Sequence, residues 1–138
     1  MTRDFDFVIR HPAARLERLV QALYRRGFEL VATIDDAGMV RATISNRRIA
    51  TARLAIDEPA SAYFYDPERL LRIDLLFDFP LPAAELAERA IRTKVAGHVF
   101  AIAAEPDLLA LKRIAMSARA FAGDAQDVAF LEARLNRA

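Results

Sequence analysis

Asp4 and Asp6 stand one residue apart at the start of the apolar run Asp-Phe-Asp-Phe-Val-Ile. Successive side chains of a strand point to opposite faces. The two carboxylates therefore share one face, about 7 Å apart at their Cα atoms, and Phe5, Phe7 and Ile9 fill the other. Mg²⁺ takes one or two protein carboxylates and completes its shell with water and phosphate oxygens. The pair is typical of a metal site for phosphate chemistry, although Asp-x-Asp also arises by chance at a solvated terminus.

Asp74 is a third acidic residue in an unusual place, because it interrupts the apolar run from Leu70 to Phe77. An ionised carboxylate within an apolar strand is costly unless it is paired or bound to a cation. Two interpretations stay open. Asp74 either forms a salt bridge with an arginine such as Arg72 or Arg69, or it is a third ligand of the same metal site.

Two cations, Lys112 and Arg119, fall on the apolar stripe of a helix predicted over 106–120. Leu108 and Ala115 mark this stripe, and a rotation of about 100° per residue places both cations inside it. The two side chains either extend past the stripe to water or line a polar cleft opposite the strand acids.

The composition restricts the class of protein. A chain of 138 residues is long enough for one domain with its own core. It contains no cysteine, which excludes disulfides and thiolate metal sites and favours the cytoplasm. With 20 basic and 19 acidic residues, the net charge of +1 gives no general attraction to nucleic acid or membranes. No apolar run is long enough to span a membrane, so a soluble, cytoplasmic protein is expected.

Hydrophobic patterning and turn residues divide the chain into helices and strands. The alternation over 48–56 predicts a strand that completes an antiparallel meander with the two strands before it. The predicted strands are 2–9, 28–34, 39–44, 48–56, 70–77 and 97–103, and the predicted helices are 12–26, 82–92, 106–120 and 124–134. Together they indicate a single α/β (α+β) domain over 1–138, with a mixed, mainly antiparallel sheet, helices packed on it and helices at the C-terminus.

Four segments in a fixed order resemble the DNA polymerase β-like nucleotidyltransferase superfamily, most of all the AbiEii abortive-infection toxin type. The resemblance runs from residue 2 to about residue 131, and the order of the segments is more specific than any one of them. The segments are Thr-Arg-Asp4-Phe-Asp6-Phe-Val-Ile, Arg72-Ile-Asp74-Leu-Leu, Asp107-Leu-Leu-Ala-Leu-Lys112, and Arg119-x4-Asp124-x2-Asp127-Val-x2-Leu131.

The resemblance implies roles for these residues. Asp4, Asp6 and Asp74 would bind two Mg²⁺ ions, with Asp74 also acting on an acceptor hydroxyl, and Lys112 would serve the nucleotide or the chemistry. Arg119, which shares the helix face of Lys112, is the second cation expected to bind the nucleotide. The implied reaction transfers a nucleotide from a nucleoside triphosphate to an RNA, protein or small-molecule acceptor. The implied setting is a toxin–antitoxin or abortive-infection system, with an antitoxin or a second copy of the chain as partner.

One family feature is missing. Members carry a helix and a strand ending in Gly-Gly or Gly-Ser before the paired acids, and here only Met1-Thr2-Arg3 precede them. That glycine motif supplies backbone N–H groups for the triphosphate. We therefore expect little nucleotidyl transfer by the chain as written. The alternative function is a catalytically silent nucleotide- or protein-binding module built on the same fold.

Overall fold

The computed structural model describes residues 3–119 and 130–137, which belong to two compact units, Met1–Phe79 and Pro80–Ala138. It confirms the predicted mixture of helices with a mainly antiparallel sheet. That the two units act as one domain stays a prediction. Within the described residues, no helix is long and apolar enough to cross a membrane.

The first unit is a five-stranded sheet with two helices. The strands are β1 (Arg3–Ile9), β2 (Glu29–Ile34), β3 (Val40–Ile44), β4 (Ser61–Asp66) and β5 (Leu71–Phe77), and the helices are α1 (Leu16–Arg25) and α2 (Arg47–Asp57). The strand order is β1-β5-β4-β2-β3. β1 runs parallel to β5, whereas the other neighbours are antiparallel.

The core of this unit lies on one side of the sheet, beneath α1 and α2. Every second residue of β4 is buried there, as are Leu75 and Phe77 of β5, while Leu71 and Ile73 of β5 are partly buried against the same core, as expected for strands with one covered face. The buried residues are Leu16, Val20, Phe28, Leu30, Ala50, Leu54, Ala62, Phe64, Leu75 and Phe77. The alternate residues of the same strands consequently lie on the opposite side of the sheet.

The predicted strand at 48–56 is wrong, because Arg47–Asp57 is the helix α2. Asn46 caps this helix: its side-chain oxygen accepts hydrogen bonds from the backbone N–H groups of Arg48 at 2.9 Å and Ile49 at 3.2 Å. Ala50 and Leu54, four residues apart, bury one face of the helix. The predicted meander is therefore also wrong, and β2 pairs with β3 on one side and with β4 on the other.

β1 is not the buried strand that its apolar run suggests. It lies at the edge of the sheet, with β5 as its only neighbour in the strand order. Phe5 is 50% exposed and Phe7 38% exposed, so the prediction that they fill a covered face is wrong, while Ile9 does pack against the core. As an edge strand, β1 has a strand neighbour on one side only, and its residues Phe5 and Phe7 stay in contact with water.

The described residues of the second unit form three helical segments and a β-hairpin. Its elements are α3 (Ala83–Arg89), β6 (Ile91–Val95), β7 (His98–Ile102), α4 (Glu105–Arg119) and a helical segment at 130–136. The predicted helix 82–92 ends at Arg89, because the alternating residues from Ile91 onward pair with β7. Leu109 of α4 and Leu131 of the last segment are buried and pack together in a small hydrophobic cluster. Residues 124–129, the start of the last predicted helix, lie outside the described residues.

Candidate functional site

The pairing of β1 with β5 brings together the three strand acids. Asp6 lies directly opposite Asp74, and Asp4 lies opposite Arg72. Directly opposed residues of neighbouring strands project on the same side of a sheet, about 4.8 Å apart. All three carboxylates therefore share the side away from α1 and α2.

Two tyrosines of β4 continue the same surface. Tyr63 lies opposite Asp74, and Tyr65 lies opposite Arg72. We call this surface the polar sheet face, and we define it by Asp4, Asp6, Tyr63, Tyr65, Arg72 and Asp74. It crosses the three strands β1, β5 and β4, while the core occupies the other side of the same strands.

Arg72 binds Asp74 through two hydrogen bonds on the polar sheet face. Arg72 Nε donates to Asp74 Oδ1 at 2.7 Å, and Nη2 donates to Oδ2 at 3.2 Å. The two side chains are only 14% and 15% exposed. The guanidinium also stacks on the ring of Tyr63, with Cζ 4.4 Å from the ring centre. Of the two interpretations of Asp74, the salt bridge to Arg72 is the one present in the structure.

Despite this salt bridge, the surroundings of Asp74 raise its pKa and so disfavour its ionised form. Burial raises the pKa of Asp74 to about 6, the hydrogen bonds and charge of Arg72 lower it, and the negative charges of Asp6 and Asp4 raise it. Burial is the largest of these influences, and the charges of Asp6 and Asp4 add to it. A divalent cation close to the three acids would relieve the same repulsion.

A pocket of about 220 Å³ opens beside Arg72, between the polar sheet face and the tip of the β2–β3 hairpin. It is lined by Asp4, Gly38, Met39, Val40, Tyr65 and Arg72. The hairpin tip reaches Arg72, whose Nη1 donates to the Gly38 carbonyl at 3.5 Å. One wall of the pocket is therefore exposed backbone, and another is a guanidinium.

Asp35 fixes the shape of this hairpin tip. One carboxylate oxygen of Asp35 accepts hydrogen bonds from the backbone N–H groups of Ala37 at 3.0 Å and Met39 at 2.9 Å. The other oxygen accepts from Arg41 Nε at 2.7 Å. These contacts lower the pKa of Asp35, with the Met39 hydrogen bond as the largest cause. The loop that carries Gly38 is thus held by its own side chains.

The donor set fits a hard divalent cation only in part. Asp4 and Asp6 are exposed carboxylates on one side of an edge strand, which matches the one or two protein carboxylates that Mg²⁺ takes. Asp74 lies beside them, but both of its oxygens bind Arg72. Among the described residues, no three His, Cys, Asp or Glu side chains are grouped closely enough to hold a metal ion. A cation bound to Asp74 would have to use the lone pairs that the two hydrogen bonds from Arg72 leave unoccupied.

Lys112 and Arg119 lie on α4, in the second unit. The Lys112 side chain is half-buried, in keeping with its predicted position within the apolar stripe. Arg119 is the last residue of α4, and its side chain lies outside the described part of the chain. That these two cations face the acids of the first unit stays a prediction.

Sequence reasoning missed one strong charge pair in the second unit. Arg89 Nε donates to both oxygens of the buried Asp107, at 3.0 and 3.2 Å, and Nη2 adds a bond at 3.1 Å. Asp107 looks like an ordinary acidic residue in the first turn of a helix, where the helix dipole favours it. Two sequence features could have indicated this pair: an arginine at the end of one helix and an aspartate in the first turn of the next. The pair ties α3 to α4 and has a structural role.

No protein-family model matches the chain, and no curated protein is significantly similar to it.

Proposed function

We propose that the polar sheet face binds the magnesium complex of a nucleoside triphosphate, and that the chain is built on a nucleotidyltransferase scaffold whose reaction is nucleotidyl transfer, with little transfer expected from the chain as written because the glycine motif is missing. The observation that carries this proposal is the register of β1 on β5, which sets Asp6 beside Asp74 with Asp4 two residues earlier on the same side. The order of motifs that resembles the nucleotidyltransferase superfamily supports it further.

In nucleotidyl transfer, each of these residues would have its own role. Asp4 and Asp6 would hold the cation, and Asp74 would orient the acceptor hydroxyl. Lys112 would neutralise charge on the departing pyrophosphate. Mg²⁺, when bound, supplies charge neutralisation and orientation of the triphosphate. The acceptor would be RNA, protein or a small molecule, and the chain would be the toxin component of a toxin–antitoxin or abortive-infection pair.

A second candidate function is a nucleotide- or protein-binding module without turnover. The salt bridge favours it, because Arg72 engages both oxygens of the acid that would orient the acceptor. The two candidates share the binding step and differ in whether a product forms.

Calorimetric titration with each common nucleoside triphosphate, with and without Mg²⁺, tests the binding step. We expect Mg²⁺-dependent binding that Asp6→Asn abolishes, because a neutral amide is a poorer ligand than a carboxylate. Asp57→Asn is the matched control, since Asp57 is 58% exposed at the end of α2. Equal binding by both variants would overturn the proposed site.

Incubation with labelled triphosphates, cell RNA and cell protein then separates the candidates. Label transfer that depends on Asp6 identifies the transferase. Magnesium-dependent binding without label transfer identifies the silent module.

A further inference from the structure

The outer edge of β1 has no strand beside it among the described residues, and its two sides differ in chemistry. Asp4 and Asp6 are exposed on the polar sheet face. Phe5 and Phe7 are exposed on the opposite side. The N–H and C=O groups along such an edge can pair with a further strand. A strand that fits this edge carries cations on one side and apolar residues on the other.

The strand β6, with the sequence Ile-Arg-Thr-Lys-Val, has this pattern. Arg92 and Lys94 lie on one side of the strand, and the other three residues lie on the opposite side. Both cations are exposed, and Ile91 and Val95 are 59% and 52% exposed. β7 is the only neighbour of β6 in its two-stranded sheet. The outer edge of β6 is therefore also without a strand partner in the described part of the chain.

The acids of β1 and the cations of β6 have the same spacing. Asp4 and Asp6 are two residues apart, as are Arg92 and Lys94. Directly opposed residues of paired strands project on the same side, and opposite charges placed there stabilise the pairing. The match holds for a parallel and for an antiparallel pair, because each pattern is symmetric about its middle residue.

The other free edges of the described strands fit less well. β3, at the opposite edge of the five-stranded sheet, carries the exposed Arg41 and pairs with β2 in an irregular register. It would set a cation against the cations of β6. β7 contains no acidic or basic side chain apart from His98. Two β1 strands would set acids against acids, so β1 and β6 are the complementary pair.

We propose that β6 of one copy of the chain adds to β1 of a second copy, with the two cations of β6 beside the two acids of β1. Each copy offers one donor strand and one acceptor edge, so a twofold axis repeats the junction and closes a dimer. On the other side of each junction, the exposed apolar residues of the two strands would meet. The pairing uses the two aspartates as charges along a sheet edge and not as ligands, so it is independent of the proposed function.

Charge exchange between two variants tests the pairing. The edge variant combines Asp4→Lys with Asp6→Lys, and the strand variant combines Arg92→Glu with Lys94→Glu. We expect the wild type to dimerise and each variant alone to dimerise at least about 100-fold more weakly, because like charges then meet at both junctions. An equal mixture of the two variants should dimerise as the wild type does, since every junction again joins acids to cations. Analytical ultracentrifugation over a range of concentrations measures the dissociation constants.

Arg48→Glu combined with Arg53→Glu is the control, because it makes the same change of net charge as the strand variant at exposed positions of α2. This control should dimerise as the wild type does. A monomeric wild type, an assembly larger than two, or a dimer that persists in the edge and strand variants overturns the inference. A mixture of folded variants that stays monomeric also overturns it.

Introduced cysteines decide if the charge variants do not fold. Phe5 and Thr93 are the middle residues of the two patterns, so they lie opposite each other in either strand direction. The chain contains no cysteine, and a mixture of Phe5→Cys and Thr93→Cys should form the mixed disulfide on mild oxidation. Mass spectrometry distinguishes this product from disulfides between identical chains. In the control, Ala42→Cys at an exposed position of β3 replaces Phe5→Cys, and an equal yield of mixed disulfide there overturns the pairing.

Discussion

Asp74 is a largely buried carboxylate whose pKa is influenced in opposite directions by its surroundings. Burial and the neighbouring acids favour its protonated form, and the fork of Arg72 favours its ionised form. The attraction within a buried ion pair offsets only part of the free energy that desolvation of the two charges costs. The pair consequently specifies the orientation of the two side chains more than it stabilises the protein.

The raised pKa of Asp74 predicts a pH dependence of stability. The folded-state pKa of about 6 lies above the ordinary value of 3.8, so the folded protein holds this proton over a range in which the unfolded chain has lost it. The contribution of Asp74 to the free energy of unfolding therefore falls as the pH rises from about 4 to about 6, and is constant above that.

Urea denaturation across this pH range, with Asp74→Asn for comparison, measures the effect. The difference in free energy of unfolding between the two proteins should change through this window and level off above it. A difference independent of pH would show that Asp74 titrates as an ordinary aspartate.

The sequence of α2 contains features typical of a strand and features typical of a helix. The alternation of Ile49, Thr51 and Arg53 indicates a strand, whereas the Asn46 cap and the spacing of Ala50 and Leu54 specify a helix. Burial against α1 and the sheet decides for the helix, since Ala50 and Leu54 both lie in the core.

Removal of the cap should test this account. Asn46→Ala deletes the acceptor for two backbone N–H groups and should lower the free energy of unfolding by about 1 kcal/mol. Asn46→Asp should retain the stability, because a carboxylate also caps. Chemical denaturation measures both variants, with Ser45→Ala as the control at the neighbouring exposed position. Equal stabilities for Asn46→Ala and Ser45→Ala would show that the cap contributes nothing.

The elements that the sequence predicted well include α1, which lies within the predicted helix 12–26, and β5, which lies within the apolar run from Leu70 to Phe77. β4 and β6 were missed because short alternating segments next to proline-containing loops resemble irregular chain or the end of a helix. From the sequence, the candidate site could be predicted only as acidic and basic residues, without the positions of these residues relative to one another. That Asp6 lies opposite Asp74, and that Arg72 rather than Arg69 binds it, depends on strand order and register, which are set by tertiary packing.

At the scale of the whole molecule, the net charge of +1 gives no broad attraction for a polyanion, so phosphate binding must depend on particular cations. Arg72 is one candidate in the first unit, and Lys112 is the predicted one in the second. A role for Lys112 in nucleotide binding is therefore a separate prediction.

The variant Lys112→Met tests whether Lys112 contributes to nucleotide binding. Methionine keeps the length and apolar stem of the side chain, so the fold should persist while nucleotide affinity falls about tenfold through loss of a charge-assisted contact. Lys94→Met, at an exposed position of β6, is the control. Calorimetry with Mg²⁺ and a nucleoside triphosphate gives both affinities, and equal values in the two variants would remove Lys112 from the site.

The central claim is that the polar sheet face takes a divalent cation at Asp4, Asp6 and Asp74. Mn²⁺ prefers the same oxygen ligands as Mg²⁺ and broadens the nuclear magnetic resonance signals of nearby nuclei. Titration of the isotope-labelled protein with Mn²⁺ therefore locates the cation directly. The account predicts that the backbone signals of residues 4–6 and 72–74 broaden first, and that excess Mg²⁺ restores them. Sharp signals at those residues, with broadening elsewhere or uniformly along the chain, would contradict it.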